Sequence, residues 1–370
     1  MTAFIICATG LGMIILRTQQ NIWAWFCRAI KKITMKKNIG YWLKLNVLLT
    51  VLCGTACSKS NSQKGTDPPP ATVDSSVYQA DPTVFFFNGT YYLYGTDGMA
   101  PDNGIKVFTS TDRKIWNAPQ SSADGLALRK QESFGTAGFW APQVWWYKNV
   151  FYMAYVANEQ IAIASGTSPL GSFYAKQPIS FNQQNIDPYV FIDKDNDGKK
   201  YLYHVDISNG NKIYVAAIND SFSAVDPQTR QLCLTATEPW ETIQDRVVEG
   251  PTVLWHNGWY YLIYSANNYI SQNYAVGYAT SKSPYGPWAK YAGNPILSMQ
   301  NTGKPGTGHG DIFYDAGGQM YYVLHTHNSA LAVSPRRTAI VKAYFESGSA
   351  GDPDRLVMDA NSFYYLKTTK

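Results

Sequence analysis

The chain has 370 residues, 15% of them aromatic and only 15% charged, with 27 Tyr against 16 Phe. That composition excludes a coiled coil, a disordered chain and a highly charged nucleic-acid binder. The formal charge of +5 comes from the N-terminus: residues 1–56 hold seven Lys or Arg and no Asp or Glu, which leaves 24 basic against 26 acidic residues beyond them and no basic face for phosphates.

In chain order, residues 1–56 are expected to be an export signal region. Met35-Lys36-Lys37 opens a basic stretch that reaches Lys44, Leu45 to Leu52 is a short apolar run, and Cys53-Gly54-Thr55-Ala56-Cys57 ends it. The run is too short for a stable transmembrane anchor. A lipoprotein-type signal over 35–56 makes Cys57 the lipidated N-terminus of the mature chain. The alternative is an ordinary cleaved signal, since Gly54 stands where a lipobox usually has Leu. Residues before Met35 read as an upstream mis-start or a second apolar stretch from Phe4 to Leu16. A polar tether over 57–75 follows. The implied location is the bacterial cell envelope, in the periplasm or at the outer membrane. Of the five cysteines only Cys233 falls in the folded region, 76–370, so the fold must hold by its core and not by an internal disulfide.

One unit then recurs five times, a Gly- or Asn-containing turn followed by an aromatic strand. It appears as Asn88-Gly89-Thr90-Tyr91-Tyr92, Lys148-Asn149-Val150-Phe151-Tyr152, Asp197-Gly198-Lys199-Lys200-Tyr201, Asn257-Gly258-Trp259-Tyr260-Tyr261 and Gly317-Gly318-Gln319-Met320-Tyr321. The steps from Tyr91 through Phe151, Tyr201 and Tyr260 to Tyr321 are 60, 50, 59 and 61 residues. An apolar strand precedes each turn, which is a hairpin signature. Five such units predict an all-β chain, a single five-bladed β-propeller with antiparallel blades around a central channel.

The first strand of each blade lines the channel of a propeller. With Val84, Val144, Val190, Val253 and Ile312 taken as equivalent, three residues back lie Asp81, Ala141, Asp187, Gly250 and His309, with Glu249 beside Gly250. Three carboxylates converging on one channel end cannot all be comfortably ionised, so an acid should stand beside a base. Glycoside hydrolysis requires that pairing. Trp140 is the best-placed aromatic for stacking a sugar ring. Asp193-Lys194-Asp195-Asn196-Asp197-Gly198 begins like a calcium loop, but its twelfth position is His204 where a bidentate Glu is needed; it reads as the turn of blade three.

These residues resemble glycoside hydrolase family 43 through Ala80-Asp81-Pro82-Thr83-Val84, Trp140-Ala141-Pro142-Gln143-Val144, Ile186-Asp187-Pro188-Tyr189-Val190, Glu249-Gly250-Pro251 and Gly308-His309-Gly310. The resemblance implies hydrolysis with inversion, Asp81 as general base and Glu249 as general acid, with Asp187 holding the acid and raising its pKa. It further implies that His309 and Arg337 reach the substrate, with Arg336 as the competing arginine. No cofactor is required, and a structural Ca²⁺ in the channel near His309 is allowed. The implied partner is an oligo- or polysaccharide. The leading expectation is an exo-acting α-L-arabinofuranosidase or β-xylosidase. Alternatives are a β-galactofuranosidase, an exo-galactanase, an endo-arabinanase, or a carbohydrate-binding propeller without catalysis. A sialidase-like propeller expects repeated Ser-x-Asp-x-Gly turns, and Ser110-Thr111-Asp112 approximates only one, with Lys114 at the Gly position.

Overall fold

The computed structural model describes residues 75–120, 124–179, 184–196 and 198–369. The expected signal, the lipidation site at Cys57 and the tether up to residue 74 lie outside them. After a short strand β1 (Ser75–Ser76), blade one comprises β2 (Gln79–Phe87), β3 (Thr90–Asp97), β4 (Gly104–Ser110) and β5 (Leu126–Arg129). Blade two comprises β6 (Trp140–Tyr147), β7 (Val150–Ala157) and β8 (Gln160–Gly166). Blade three holds β9 (Asn185–Asp193), β10 (Lys199–Asp206), β11 (Lys212–Ala217) and β12 (Gln231–Leu234). Blade four holds β13 (Val248–His256), β14 (Trp259–Ala266), β15 (Ala275–Ser281) and β16 (Ala289–Lys290). Blade five holds β17 (Gly308–Tyr314), β18 (Met320–Thr326), β19 (Arg337–Glu346) and β20 (Arg355–Tyr365), and β21 (Lys367–Thr368) ends the chain.

All blades are antiparallel meanders. Their innermost strands β2, β6, β9, β13 and β17 touch in sequence, and β17 returns to β2, so the ring is closed. The chain is a five-bladed β-propeller. The five equivalent residues of the inner strands pair in one register with the second strands, Val84 with Leu93, Val144 with Met153, Val190 with Leu202, Val253 with Leu262 and Ile312 with Tyr322. Asp193 and Gly198 close the connection between β9 and β10, with Gly198 N–H donating to Asp193 O.

The core sits between blades. Among the described residues the buried apolar side chains form five clusters, and each straddles one seam. A twisted blade buries both faces against its neighbours, which explains why the second strands are nearly continuous in Tyr, Phe, Leu and Val. At the seam of blades two and three, for example, Phe222 meets Trp145 edge-on at 5.2 Å.

Blade five takes all four strands from the C-terminal end and blade one all four from the N-terminal end, so no blade is shared across the closure. The seam is sewn by main chain instead. Strands β1 and β21 pair, Val77 N–H donates to Leu366 O at 3.2 Å, and Thr338 N–H donates to Val77 O at 3.0 Å. Trp116 fills this seam with no exposed surface, and its backbone N–H reaches Lys367 O at 2.7 Å.

Candidate active site

The pairing of every inner strand slips at one place, between Ala80 and Thr83, Trp140 and Gln143, Ile186 and Tyr189, Glu249 and Thr252, and Gly308 and Gly310. The bulged residues are Asp81, Ala141, Asp187, Gly250 and His309, and all five have left-handed backbones, with φ of 49°, 44°, 52°, 60° and 40°. A bulge adds a residue and re-aims a side chain. Non-glycine residues in this conformation carry strain that the surrounding structure must hold. Here the Pro that follows four of the five assists, since it has no N–H to leave unpaired in the disrupted ladder.

The neighbouring blade supplies a partner for most bulge N–H groups. Thr96 Oγ1 accepts from Ala141 N at 3.0 Å, Ser265 Oγ from His309 N at 2.8 Å, and His325 Nδ1 from Asp81 N at 3.1 Å. These three acceptors occupy one register position, three residues after Leu93, Leu262 and Tyr322, opposite the residue before each bulge. Asp187 Oδ2 accepts from Gly250 N at 3.1 Å and completes the link between blades three and four.

The bulges bring Asp81, Asp187 and His309 to one small cavity at the channel end. Thr83, Gln143, Tyr189, Thr252 and Asp311, two residues further along each strand, line it beneath them. Glu249 is buried one residue before the bulge of blade four. Asn211 Nδ2 donates to its Oε2 at 2.8 Å and Tyr274 Oη to its Oε1 at 2.7 Å. Of Asp81, Asp187 and Glu249, Asp81 is the most heavily partnered. Arg336 Nη1 donates to its Oδ1 at 2.8 Å, Thr96 Oγ1 donates to its Oδ2 at 2.7 Å, and His309 Nδ1 lies 3.3 Å from Oδ1. That nitrogen is also 3.9 Å from Asp187 Oδ2.

These surroundings drive the carboxyls apart. Burial disfavours ionised Asp81, but the Arg336 guanidinium, the His309 imidazole and the Thr96 hydroxyl outweigh it and hold the group well below the usual carboxylate range. Asp187 is pushed up to about 7 by burial and by the charge of Asp81. Glu249 is pushed up to about 7 by burial and by Asp187. At neutral pH the channel end therefore carries an ionised carboxylate, Asp81, and a carboxyl pair, Asp187 and Glu249, that retains a proton. Asp311, deeper in the channel, is raised to about 6 by burial even though Thr83 donates to it at 2.7 Å.

Arg337 is not at this site. It opens strand β19 opposite Thr326, its guanidinium stacks 3.6 Å from the Tyr365 ring and its Nη2 donates to Ser76 Oγ. Its neighbour Arg336 makes the Asp81 contact, because successive residues at a strand start face opposite sides. Trp140 is half-buried beside Ala141, with its ring folded over Gly138, where a Cβ would stand 2.9 Å from it. The calcium allowed near His309 finds no group of three His, Cys, Asp or Glu side chains among the described residues able to cage it. His309 turns its Nδ1 to the carboxylates.

Sequence reasoning passed over Arg336 as first choice, and it missed Thr96, Ser265 and His325. The signal for those three was the repeat itself, one fixed position in the second strand. Asn211, Tyr274 and Arg336 share a position too, each one residue before the third strand of its blade, β11, β15 and β19.

The profile of Glycosyl hydrolases family 43 matches residues 75–350. A solved structure described as an endo-1,4-β-xylanase from Bacteroides thetaiotaomicron is 39% identical, with a TM-score of 0.73, over 81% of this chain and 100% of that one. The extracellular endo-α-(1→5)-L-arabinanase 1 of Bacillus subtilis is 26% identical over 240 residues, 60% of this chain and 71% of the relative. Xylosidase/arabinosidase 43B of Humicola insolens is 24% identical over 298 residues, 75% of this chain but only 53% of its own length.

Proposed function

The chain belongs to glycosyl hydrolases family 43 and is a glycoside hydrolase; from that premise we propose that it is an inverting enzyme that removes terminal α-L-arabinofuranosyl or β-xylosyl residues from a glycan. In this reading Asp81 is the general base, Glu249 the general acid and Asp187 the residue that keeps the acid protonated. The observation that carries it is the opposite treatment of Asp81 and Glu249 by their surroundings.

Asp81 Oδ takes a proton from a water molecule, whose oxygen forms a bond to the anomeric carbon. The bond from that carbon to the glycosidic oxygen breaks on the opposite face, and the Glu249 proton passes to the leaving oxygen. One displacement inverts the anomeric centre, and the two carboxyls exchange protonation states until solvent resets them. Arg336 holds Asp81 ionised before attack, and the exposed part of Trp140 offers an aromatic face to a sugar ring. Asn211 and Tyr274 fix both oxygens of the acid.

A second reading, cleavage within a xylan or arabinan chain, is supported by the names of the 39% identical structure and of the B. subtilis relative. The experiment is hydrolysis by residues 58–370 of nitrophenyl α-L-arabinofuranoside, β-D-xylopyranoside, β-D-galactofuranoside and β-D-galactopyranoside, beside xylan and arabinan, with Asp81→Asn as control. One preferred aryl glycoside, lost in the control, supports the exo reading. Activity on polymer alone supports the second, and silence throughout overturns both.

A further inference from the structure

At the register position that holds the next blade's bulge N–H, blades one and four use hydroxyls, Thr96 and Ser265. Blade five uses an imidazole there, His325, although a hydroxyl evidently suffices. The extra atoms have a second neighbour. The His325 ring is fully buried and lies nearly parallel to the Tyr274 ring, at 14° with centroids 5.8 Å apart. Tyr274 is also fully buried, and its Oη donates to Glu249. The backbone clears a slot for this ring at Gly308, where a Cβ would stand 2.3 Å from Tyr274 Cε1.

Asp81 belongs to blade one and Glu249 to blade four, with blade five between them. A packed path crosses that gap, from the Asp81 peptide N–H to His325 Nδ1, from the imidazole to the stacked phenol ring, and from the phenol O–H to Glu249 Oε1. We propose that His325 and Tyr274 are positioning residues that act as one strut and set Glu249 in place relative to Asp81. The inference rests on the proposed function for the roles of the two carboxyls, but the strut itself is a claim about geometry. The environment suits it. Burial and then the Arg336 charge hold His325 neutral, so Nδ1 is free to accept, and burial keeps Tyr274 a phenol able to donate.

The groups facing Glu249 are Asn211 and Tyr274 by hydrogen bond and Asp187, His309 and Asp81 by charge. Tyr274→Phe keeps the ring and deletes one donor to the carboxylate, so the Glu249 titration should move up by about one pH unit or more. His325→Ser keeps a hydroxyl of the kind that serves at the equivalent positions and deletes the ring. If the strut holds, His325→Ser also moves the Glu249 titration upward, although residue 325 is a ring away from it. The double variant then titrates as Tyr274→Phe alone, because the two act in series.

Carbon-13 NMR of carboxyl-labelled glutamate reads this without substrate, with Glu249→Gln assigning the signal and circular dichroism checking the fold. Silence on the glycoside panel would count against the proposed activity and leave this titration to decide the strut. An unmoved Glu249 titration in folded His325→Ser overturns it. Should Ser at 325 prevent folding, His325→Asn keeps an acceptor for the Asp81 N–H and still deletes the ring, and the strut then requires the same upward shift; a Glu249 titration near wild type there overturns it equally.

Discussion

Arg336 donates from Nη1 to Oδ1 of Asp81 at 2.8 Å and reaches Oδ2 from Nη2 at 3.3 Å, across the seam that closes the ring. One guanidinium from blade five thus spans both oxygens of a carboxylate on blade one. The Tyr269 ring covers it from another side at 4.9 Å. A fork-to-fork contact of this kind is shorter and stronger than a neutral hydrogen bond, and it fixes the carboxylate's plane as well as its charge.

The first prediction concerns that contact. Arg336→Gln removes the largest influence opposing the burial of Asp81, so the pKa of Asp81 should rise by about one to two units. A base is needed ionised, so activity should acquire an acid limb at higher pH than wild type. A pH profile of kcat/KM on the preferred aryl glycoside checks it. Identical acid limbs in variant and wild type would separate Arg336 from the base.

Asp187→Asn acts in the opposite sense on the other arm. The charge of Asp187 helps push Glu249 up to about 7. Without that charge the folded pKa of Glu249 falls, so the protonated acid is lost at lower pH and the alkaline limb moves down. The same profile measures it, and the loss of rate should be larger at pH 8 than at pH 5. An alkaline limb that stays put would show that Asp187 does not tune Glu249.

Gly250 answers to two constraints at once. Its φ is +60°, and a Cβ there would lie 2.8 Å from His309 Cδ2. Gly250→Ala must therefore displace the His309 ring and disturb the bulge that carries Glu249. The expected cost is about 1–3 kcal/mol of stability and a loss of kcat on the order of a hundredfold. Thermal melts and turnover numbers test the two parts separately, and wild-type turnover would mean the ring moves aside freely.

Stability at the closing seam should hinge on Trp116, which is fully buried among Val77, Leu93, Phe313 and Leu366. Trp116→Ala leaves a large cavity where the two chain ends meet and should cost about 3–5 kcal/mol. Urea unfolding gives the value. A cost below about 1 kcal/mol would mean that the main-chain pairing of β1 with β21 closes the ring unaided.

Much of this protein could be read from residues in order, and the reason is repetition. Hairpins at regular spacing with apolar alternation are local features, and five copies allow only an arrangement in which each blade covers its neighbour. Once the inner strands are aligned, counting three residues back marks Asp81, Asp187 and His309, whereas the bulges that carry them show only in the strand pairing. Counting fails where one residue decides a face. Arg336 and Arg337 are adjacent, and a single step in register sends one to Asp81 and the other to Tyr365.

The five-bladed plan, the equivalent inner-strand positions and the acidic character of the channel end are legible in the residue order, because each depends on a hairpin or on its repetition. Which carboxyl keeps its proton is not, and follows from the folded ring. The charge that does most to hold Asp81 ionised is that of Arg336, more than two hundred positions along the chain, and the burial that raises Glu249 exists only when blades three, four and five have closed around it. Protonation is set by distance through space, and no spacing along the chain encodes it.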